Sequence, residues 1–320
     1  MNSRDLELAL HAVARASLGV NRVRNSLVTV ESIQKKDKSP VTVADFTAQA
    51  IVASTLAEAL PNDPLVGEES SKELEAAGPV HAESVRSHVN GVLGTAFGRG
   101  EISALIDRGG GSPNASRFWT LDPIDGTKGF LRGEQFAVAL ALIEDGRVTL
   151  GVLGCPNLDD GKGVVVAAAR GEGARAYPLS GLGSGAPIHV ARVDQTDRIR
   201  FTESVESGHS DQTQSAEIAR LLGITAPPVR MDSQVKYATV ARGDAAIYLR
   251  LPTRADYQEW IWDHAAGSIV VEEAGGRLTD VKGQPLDFSC GRKLSANVGV
   301  VATNSALHDR VLEAVARVLG

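Results

Sequence analysis

WTLDPIDGTKGF, residues 119–130, runs from an apolar, strand-like start into two aspartates, Asp122 and Asp125, and then breaks at Gly126. At the end of an apolar run, two carboxylates three residues apart can converge on one point. Hard cations such as Mg²⁺ take oxygen ligands, commonly carboxylates, waters and phosphate oxygens, and the Ile124 carbonyl offers another oxygen. Gly126 allows close backbone approach, and the N–H groups of Gly126 and Thr127 suit a phosphate if a helix or nest opens there. The plain alternative is a helix cap or an Asx-turn, which Asp forms readily before Gly. Other acids weigh against it: Glu68 and Glu69 follow the strand-like LVG, and Asp263 sits between Trp262 and His264 at a helix start. Acids repeatedly placed at the ends of apolar segments repel one another unless cations gather them.

The chain has 320 residues, 43% hydrophobic and 22% charged, enough for two packed lobes or one large layered domain. With 33 basic against 39 acidic side chains the net charge is -6, which argues against a nucleic-acid-wrapping surface but not against a small phosphorylated ligand. Cys155 and Cys290 are the only cysteines, too few for a disulfide scaffold, and both read as buried small apolar residues. Seven histidines without metal spacing disfavour a zinc site. The N-terminus is amphipathic with charges throughout, and no run of about 18 apolar residues occurs. The expectation is a cytoplasmic protein with no membrane partner.

Helical spacing predicts a helix over 4–27, and SPVTVADFTAQAIVASTLAEALP a second, starting near Thr42 or Asp45 and stopping at Pro61. PLVGEES reads as a short buried strand. Residues 70–117 are polar and read as loop apart from a helix near 81–95. From Phe136 two hairpins, around Asp145-Gly146 and around Gly171, imply an antiparallel sheet. PLSGLGSGAPI, residues 178–188, reads as the linker between an N-terminal α+β lobe (1–180) and a C-terminal α/β lobe (188–320), in which strands and helices alternate. Its glycines resemble a dinucleotide loop only weakly, since no strand leads in and no helix follows.

SPVTVADFTAQA, LVGEES, WTLDPIDGTKGF and WDHAAGSIVVEEAGG, in this order, resemble the lithium-sensitive, magnesium-dependent phosphomonoesterases that include inositol monophosphatase and fructose-1,6-bisphosphatase. Within that superfamily, DSQVKYATVARGDAAIYLRLP and SGHS resemble the 3′(2′),5′-bisphosphate nucleotidases. The resemblance implies a layered αβαβα fold and about two or three Mg²⁺ ions. It also implies Glu68, Asp122, the Ile124 carbonyl, Asp125 and Asp263 as metal ligands, with Asp45 and Thr127 positioning and deprotonating the attacking water. His209, Ser233, Lys236 and Arg250 match positions that hold the nucleotide, with Gly126 and Thr127 touching phosphate. Ala44 departs from the glycine that often precedes the aspartate in relatives, which puts only loop detail in doubt.

Without the resemblance, Asp45 is as well explained as an acid favoured near a helix N-terminus. Lys236 and Arg250 are then exposed side chains, and His209 a solvated loop residue. Tyr237, Tyr248 and Trp260 read as core or rim. The implied activity is removal of the 3′-phosphate of adenosine 3′,5′-bisphosphate, and of its sulfated analogue, in support of sulfate assimilation. An inositol phosphate phosphatase would use the same acids with another pocket, and a nucleotide sensor would bind without turnover.

Overall fold

The computed structural model describes residues 3–27, 39–193, 199–205, 212–254 and 257–320. Two long helices come first, α1 (Ser3–Leu27) and α2 (Ser39–Ala59). In α2 the residues from Val43 to Leu56 are buried almost without interruption. That is the signature of a helix apolar on all sides and packed on all sides, rather than one carrying a single apolar stripe. It begins at Ser39, so Asp45 lies almost two turns inside the helix and not at its start.

Strand β1 (Leu65–Gly67) is followed by three helices, α3 (Ser71–Ala77), α4 (Pro79–Leu93) and α5 (Arg99–Asp107), where the sequence predicts one helix and loop. Their stop and start signals are local. Ser70 N–H donates to Glu73 Oε2 at 3.0 Å, Pro79 is the first residue of α4, left-handed Gly94 ends it, and Gly98 N–H donates to Glu101 Oε2 at 2.7 Å. Each helix buries only one or two large side chains, such as Leu74, Val85 with Val89, and Ile102 with Ile106. So sparse an apolar stripe gives little periodicity to read.

Next come β2 (Arg117–Asp125), the short α6 (Thr127–Arg132), and a meander of β3 (Ala137–Glu144), β4 (Arg147–Cys155), β5 (Val164–Ala169) and β6 (Gly173–Pro178). β7 (Ala186–Ile188) pairs antiparallel with β6. The end of the expected linker is therefore the edge strand of the first sheet. That sheet runs β1 to β7 in order, antiparallel except for the β1–β2 pair.

The second half alternates as expected: β8 (Phe201–Glu203), α7 (Gln212–Leu222), β9 (Val229–Arg230), α8 (Val235–Ala241), β10 (Ile247–Arg250), α9 (Ala265–Glu273), β11 (Arg277–Thr279), β12 (Val300–Thr303) and α10 (His308–Leu319). Its mixed sheet has the order β11-β12-β10-β8-β9. Three apolar clusters mark the spaces between five layers, αβαβα. One joins α1 and α2 to the first sheet, a second places α8 and α9 between the sheets, and a third covers the outer face of the second sheet with α7 and α10.

Strand β3 shows why a buried sheet reads as a continuous apolar run. Val138, Leu140 and Leu142 face the first cluster, and Ala137, Ala139 and Ala141 the second, as the period of two requires. The small face admits α9. A Cβ at Gly151 would sit 2.5 Å from Ile269 Cγ2 and 2.7 Å from the Ala266 carbonyl, so α9 packs directly on the backbone of β4. Of the two cysteines, Cys155 is buried here as expected, whereas Cys290 is exposed and its thiol contacts Asp287 Oδ2 at 3.5 Å; it lies in a polar loop with no layer to enter.

Gly151→Ala is expected to lower the unfolding free energy by about 1–3 kcal/mol through overpacking. The measurement is the urea midpoint at unchanged m; a midpoint equal to that of the parent protein would show that α9 can move away freely.

Candidate active site

Asp122 and Asp125 are three residues apart, so in a regular strand they would point to opposite faces. Asp122 pairs with Ala139 and Asp125 with Ala137, so β2 carries one extra residue against β3. Pro123, which has no N–H for the ladder, sits in this bulge. The result is visible in the core: Ile124 joins Trp119 and Leu121 in the first cluster, across from the face it would have taken without the bulge. Both aspartates then open on one cavity of about 1100 Å³. The Ile124 side chain is committed to the core, which leaves its main chain as the part available to the cavity.

Gly126 follows with φ 89° and opens α6. A Cβ on it would lie 2.8 Å from Ser233 Cβ, so a glycine is needed both for the turn and for the approach of the 232–234 loop. Ser233 is itself left-handed, at φ 67°. The next residue, Gln234, donates its backbone N–H to Asp125 Oδ2 at 2.6 Å. Its side chain donates to the Trp262 carbonyl at 2.9 Å and accepts from Gly267 N–H at 3.0 Å. Gln234 therefore fastens β2 to the segment that carries Asp263. Arg132 pairs with Asp232 beside this junction.

The cavity gathers Asp45, Glu68, Asp122, Ile124, Asp125, Gly126, Thr127, Ser233, Lys236, Arg250 and Asp263. Each expected site residue but one thus lies on a single cavity; His209 falls outside the described residues. Lys236 is buried, not exposed. Its Nζ lies 3.3 Å from the Met231 carbonyl, and 5.2 Å above the Tyr248 ring. Arg250 is also largely covered, and Glu259 accepts from its Nε and Nη2 at 3.0 and 3.3 Å. Tyr237 and Tyr248 are core residues that also reach the cavity wall, which Trp260 joins from its half-buried position.

Glu69 and Glu73 reach the same cavity, so the acids outnumber the cations and crowd one another. Burial first, then Glu68, Asp125, Asp263 and Asp45, push the Asp122 carboxyl well above the usual range. Burial, with Glu69 and Glu68, does the same to Asp45. Glu68 and Asp263 are each raised to about 7, by burial and then by Glu69 and Asp125 respectively. Glu68 is exposed, yet it lies on a concavity lined with carboxylates, and their like charges add to its partial desolvation. In the same cavity, burial lowers Lys236 to about 8.

The donor set fits a hard divalent cation. Asp122 Oδ1 is buried without a hydrogen-bond partner, and an orphaned carboxylate oxygen among like charges is costly unless something positive meets it. All the candidate donors are oxygens, the preference of Mg²⁺ or Ca²⁺ and not of zinc.

Two supports went unread in the sequence. Gln49, on α2, donates through Nε2 to the Glu69 and Ile106 carbonyls at 2.7 and 2.8 Å and accepts from Glu69 N–H at 3.1 Å, fixing the backbone beside Glu68. Arg292 donates to the Gly67 carbonyl at 2.5 Å and lies over the Trp262 ring at 5.2 Å, so it ties the strand before Glu68 to the residue before Asp263. Neither stands in an acidic motif, and a lone Gln in a helix carries no signal of its own.

The chain matches the inositol monophosphatase family over residues 1–319. It is 45% identical to a 3′(2′),5′-bisphosphate nucleotidase of Schizosaccharomyces pombe, covering 98% of this chain and 95% of the relative. It is 43% identical to the enzyme of that name in Dictyostelium discoideum, covering 96% and 95%. Among solved structures, the Thermotoga maritima IMPase superposes with a TM-score of 0.66 at 21% identity over 99% of this chain and 98% of that one. The inositol monophosphatase of Anabaena does so at 0.65 and 21%, over 98% and 96%. Both show the same fold. By full-length match, close relatives and layer architecture, the chain belongs to the inositol monophosphatase family.

Proposed function

We propose that this protein is a Mg²⁺-dependent phosphomonoesterase that removes the 3′-phosphate of adenosine 3′,5′-bisphosphate, giving AMP and phosphate, in the cytoplasm. The observation that carries the reading is that one cavity is lined both by crowded carboxylates and by the cations Lys236 and Arg250. The relatives named above carry the corresponding activity in their names. A bisphosphate has two anionic ends, and such a cavity offers each a different reception.

In this cavity Glu68, Asp122, the Ile124 carbonyl, Asp125 and Asp263 would hold the cations. When bound, these supply the positive charge that a phosphoryl group needs while an anionic centre is attacked by a nucleophile. Thr127, at the first turn of α6, orients the attacking water with its hydroxyl. Asp45 takes the proton through that hydroxyl, and its raised affinity for protons, from burial and from Glu69 and Glu68, makes it a stronger base than a solvated aspartate. The water oxygen bonds to phosphorus, the bond from phosphorus to the 3′ oxygen breaks, and that oxygen leaves as a hydroxyl with a proton from solvent. Arg250 offers a planar fork and Lys236 a point charge to the phosphate that stays on the nucleotide. Ser233 and Gly126 line the same cavity, and His209 is assigned to the nucleotide on the resemblance alone. The sulfated analogue of the substrate has the same 3′ end, and it belongs to the same proposal.

Phosphate release with Mg²⁺ should be rapid from adenosine 3′,5′-bisphosphate and slow from an inositol monophosphate; the opposite order would replace this reading with an inositol phosphatase. Asp122→Asn should lower kcat by about a hundredfold or more with the fold intact. Turnover within a few-fold of the parent would remove Asp122 from the site.

The raised carboxyl pKa values also predict a pH signature. Glu68, Glu69 and Asp263 sit at about 7 in the folded protein, against roughly 4 when unfolded. In that window the folded state binds more protons, so without cations stability declines as pH rises from about 4 to about 7. Cations need the ionised form, so 10 mM MgCl₂ should raise Tm more at about pH 8 than at about pH 5.5, relative to EDTA. An equal shift at both pH values, or none, would contradict a cation site built from these acids.

A further inference from the structure

Glu259 is a buried acid five residues upstream of His264 and behind the cavity wall rather than on it. It accepts from Arg250 Nε at 3.0 Å and from Nη2 at 3.3 Å, a two-point grip on one edge of the guanidinium. Its Oε2 also lies 3.3 Å from His264 Nε2, near enough for charge pairing though without a well-aligned hydrogen bond. The other ring nitrogen of His264 is 2.6 Å from the Tyr237 hydroxyl. Tyr237 follows Lys236 on α8, and its ring meets that of Tyr248 edge-on at 5.0 Å. A chain of contacts thus runs Tyr237, His264, Glu259, Arg250. The Glu259 backbone is fixed as well, its carbonyl accepting from Leu294 N–H at 2.9 Å.

Burial alone would raise the Glu259 carboxyl, but His264 and Arg250 outweigh it and hold it at about 2. Arg250 faces both its oxygens, and His264 Nε2 lies beside Oε2. The ligand atoms of Glu259, Asp263 and His264 do lie within 4.8 Å of one another, yet two of the three are spoken for by this chain.

We infer that Glu259 is a positioning residue for substrate selection: from behind the wall it holds the Arg250 fork in the orientation that receives the phosphate retained on the nucleotide. The inference rests on the reading of Arg250 given above. An unheld arginine keeps several flexible torsions, and ordering them on binding costs affinity. A held one meets a phosphate with its remaining N–H groups already aimed. Glu259 also has an opposing effect, since its negative charge weakens the pull of Arg250 on an anion. Orientation and screening therefore predict opposite changes when the charge is removed, and the inference is that orientation wins.

The test compares Glu259→Gln, Glu259→Ala and Arg250→Met in the full-length protein with saturating Mg²⁺. KM and kcat are measured for adenosine 3′,5′-bisphosphate, and the inhibition constant for AMP, which carries only the retained phosphate. Glu259→Gln keeps the side-chain volume and one acceptor, so it guards against simple misfolding. The expected result is that KM and the AMP constant rise together by roughly tenfold in Glu259→Ala, and less in Glu259→Gln, while kcat falls no more than about threefold. A fall in KM, or no change in either variant, would overturn the inference by showing that Glu259 only screens or only fills space. A higher Mg²⁺ requirement in Glu259→Gln, with AMP inhibition unchanged, would overturn it by marking Glu259 as a cation ligand. Arg250→Met separates the two layers. If it leaves KM and the AMP constant unchanged, the reading of Arg250 fails and the role of Glu259 falls with it; if it raises both while the Glu259 variants do not, the inference alone fails.

Discussion

Crowding of carboxylates in one cavity is the constraint around which this molecule is built. Asp45, Glu68, Asp122, Asp125 and Asp263 come from α2, the end of β1, the bulged end of β2 and the turn before α9, and they share one cavity. Like charges at short range disfavour the ionised form and push these segments apart. The raised carboxyl pKa values record that cost in the protein without cations. Only a rigid frame keeps such groups together, and here it acts largely on the main chain. Gln49, Gln234 and Arg292 hold the backbones beside the acids, without touching most of the carboxylates themselves. Their grip leaves the acidic oxygens available.

The frame depends in turn on the layers. The first sheet is sandwiched between α1 with α2 on one side and α8 with α9 on the other. Because α9 rests on Gly151 and on the alanine face of β3, Asp263 at its mouth comes near the end of β2. The bulge at Pro123 then decides which way Asp122 and Asp125 look. A regular strand would have sent one of them into the packed core, where an unpaired charge is far more costly than a methyl group.

Much of this was legible because the decisive features are short and local. The D-P-I-D-G-T stretch contains the proline of the bulge, both carboxylates and the glycine of the turn, so its chemistry is concentrated in six residues. The hairpins of the first sheet and the alternation of the second half follow from periodicity of two and from glycine turns. The missed features are of another kind. Helices α3 and α5 bury one or two side chains each, too few for a pattern. The burial of Lys236 depends on α8 lying between two sheets, which no local window shows. Asp45 reads as a first-turn acid when Thr42 is taken as the start, although Ser39-Pro40 is itself a start signal and places Asp45 deeper in the helix. Ala137–Ile188 looks like sheet followed by linker, and the pairing of Ala186–Ile188 with β6 is a long-range fact.

The acids and the cations of the cavity also differ in how they are held. Gln49 and Arg292 hold the backbone beside Glu68, and Asp122 Oδ1 is left without a hydrogen-bond partner, whereas Asp125 Oδ2 accepts directly from Gln234 N–H. The Arg250 guanidinium is gripped directly by Glu259, because a fork with five donors can spare two and still present an edge. Lys236, with a point charge and no fork, is instead steadied by the Met231 carbonyl and the Tyr248 ring while burial lowers its pKa to about 8. Gln234 is joined to Asp125 by its N–H and to the Asp263 segment by its side chain. A displacement of α8 therefore moves Lys236 and Asp125 together, which couples the placement of that cation to the geometry of the acid cluster.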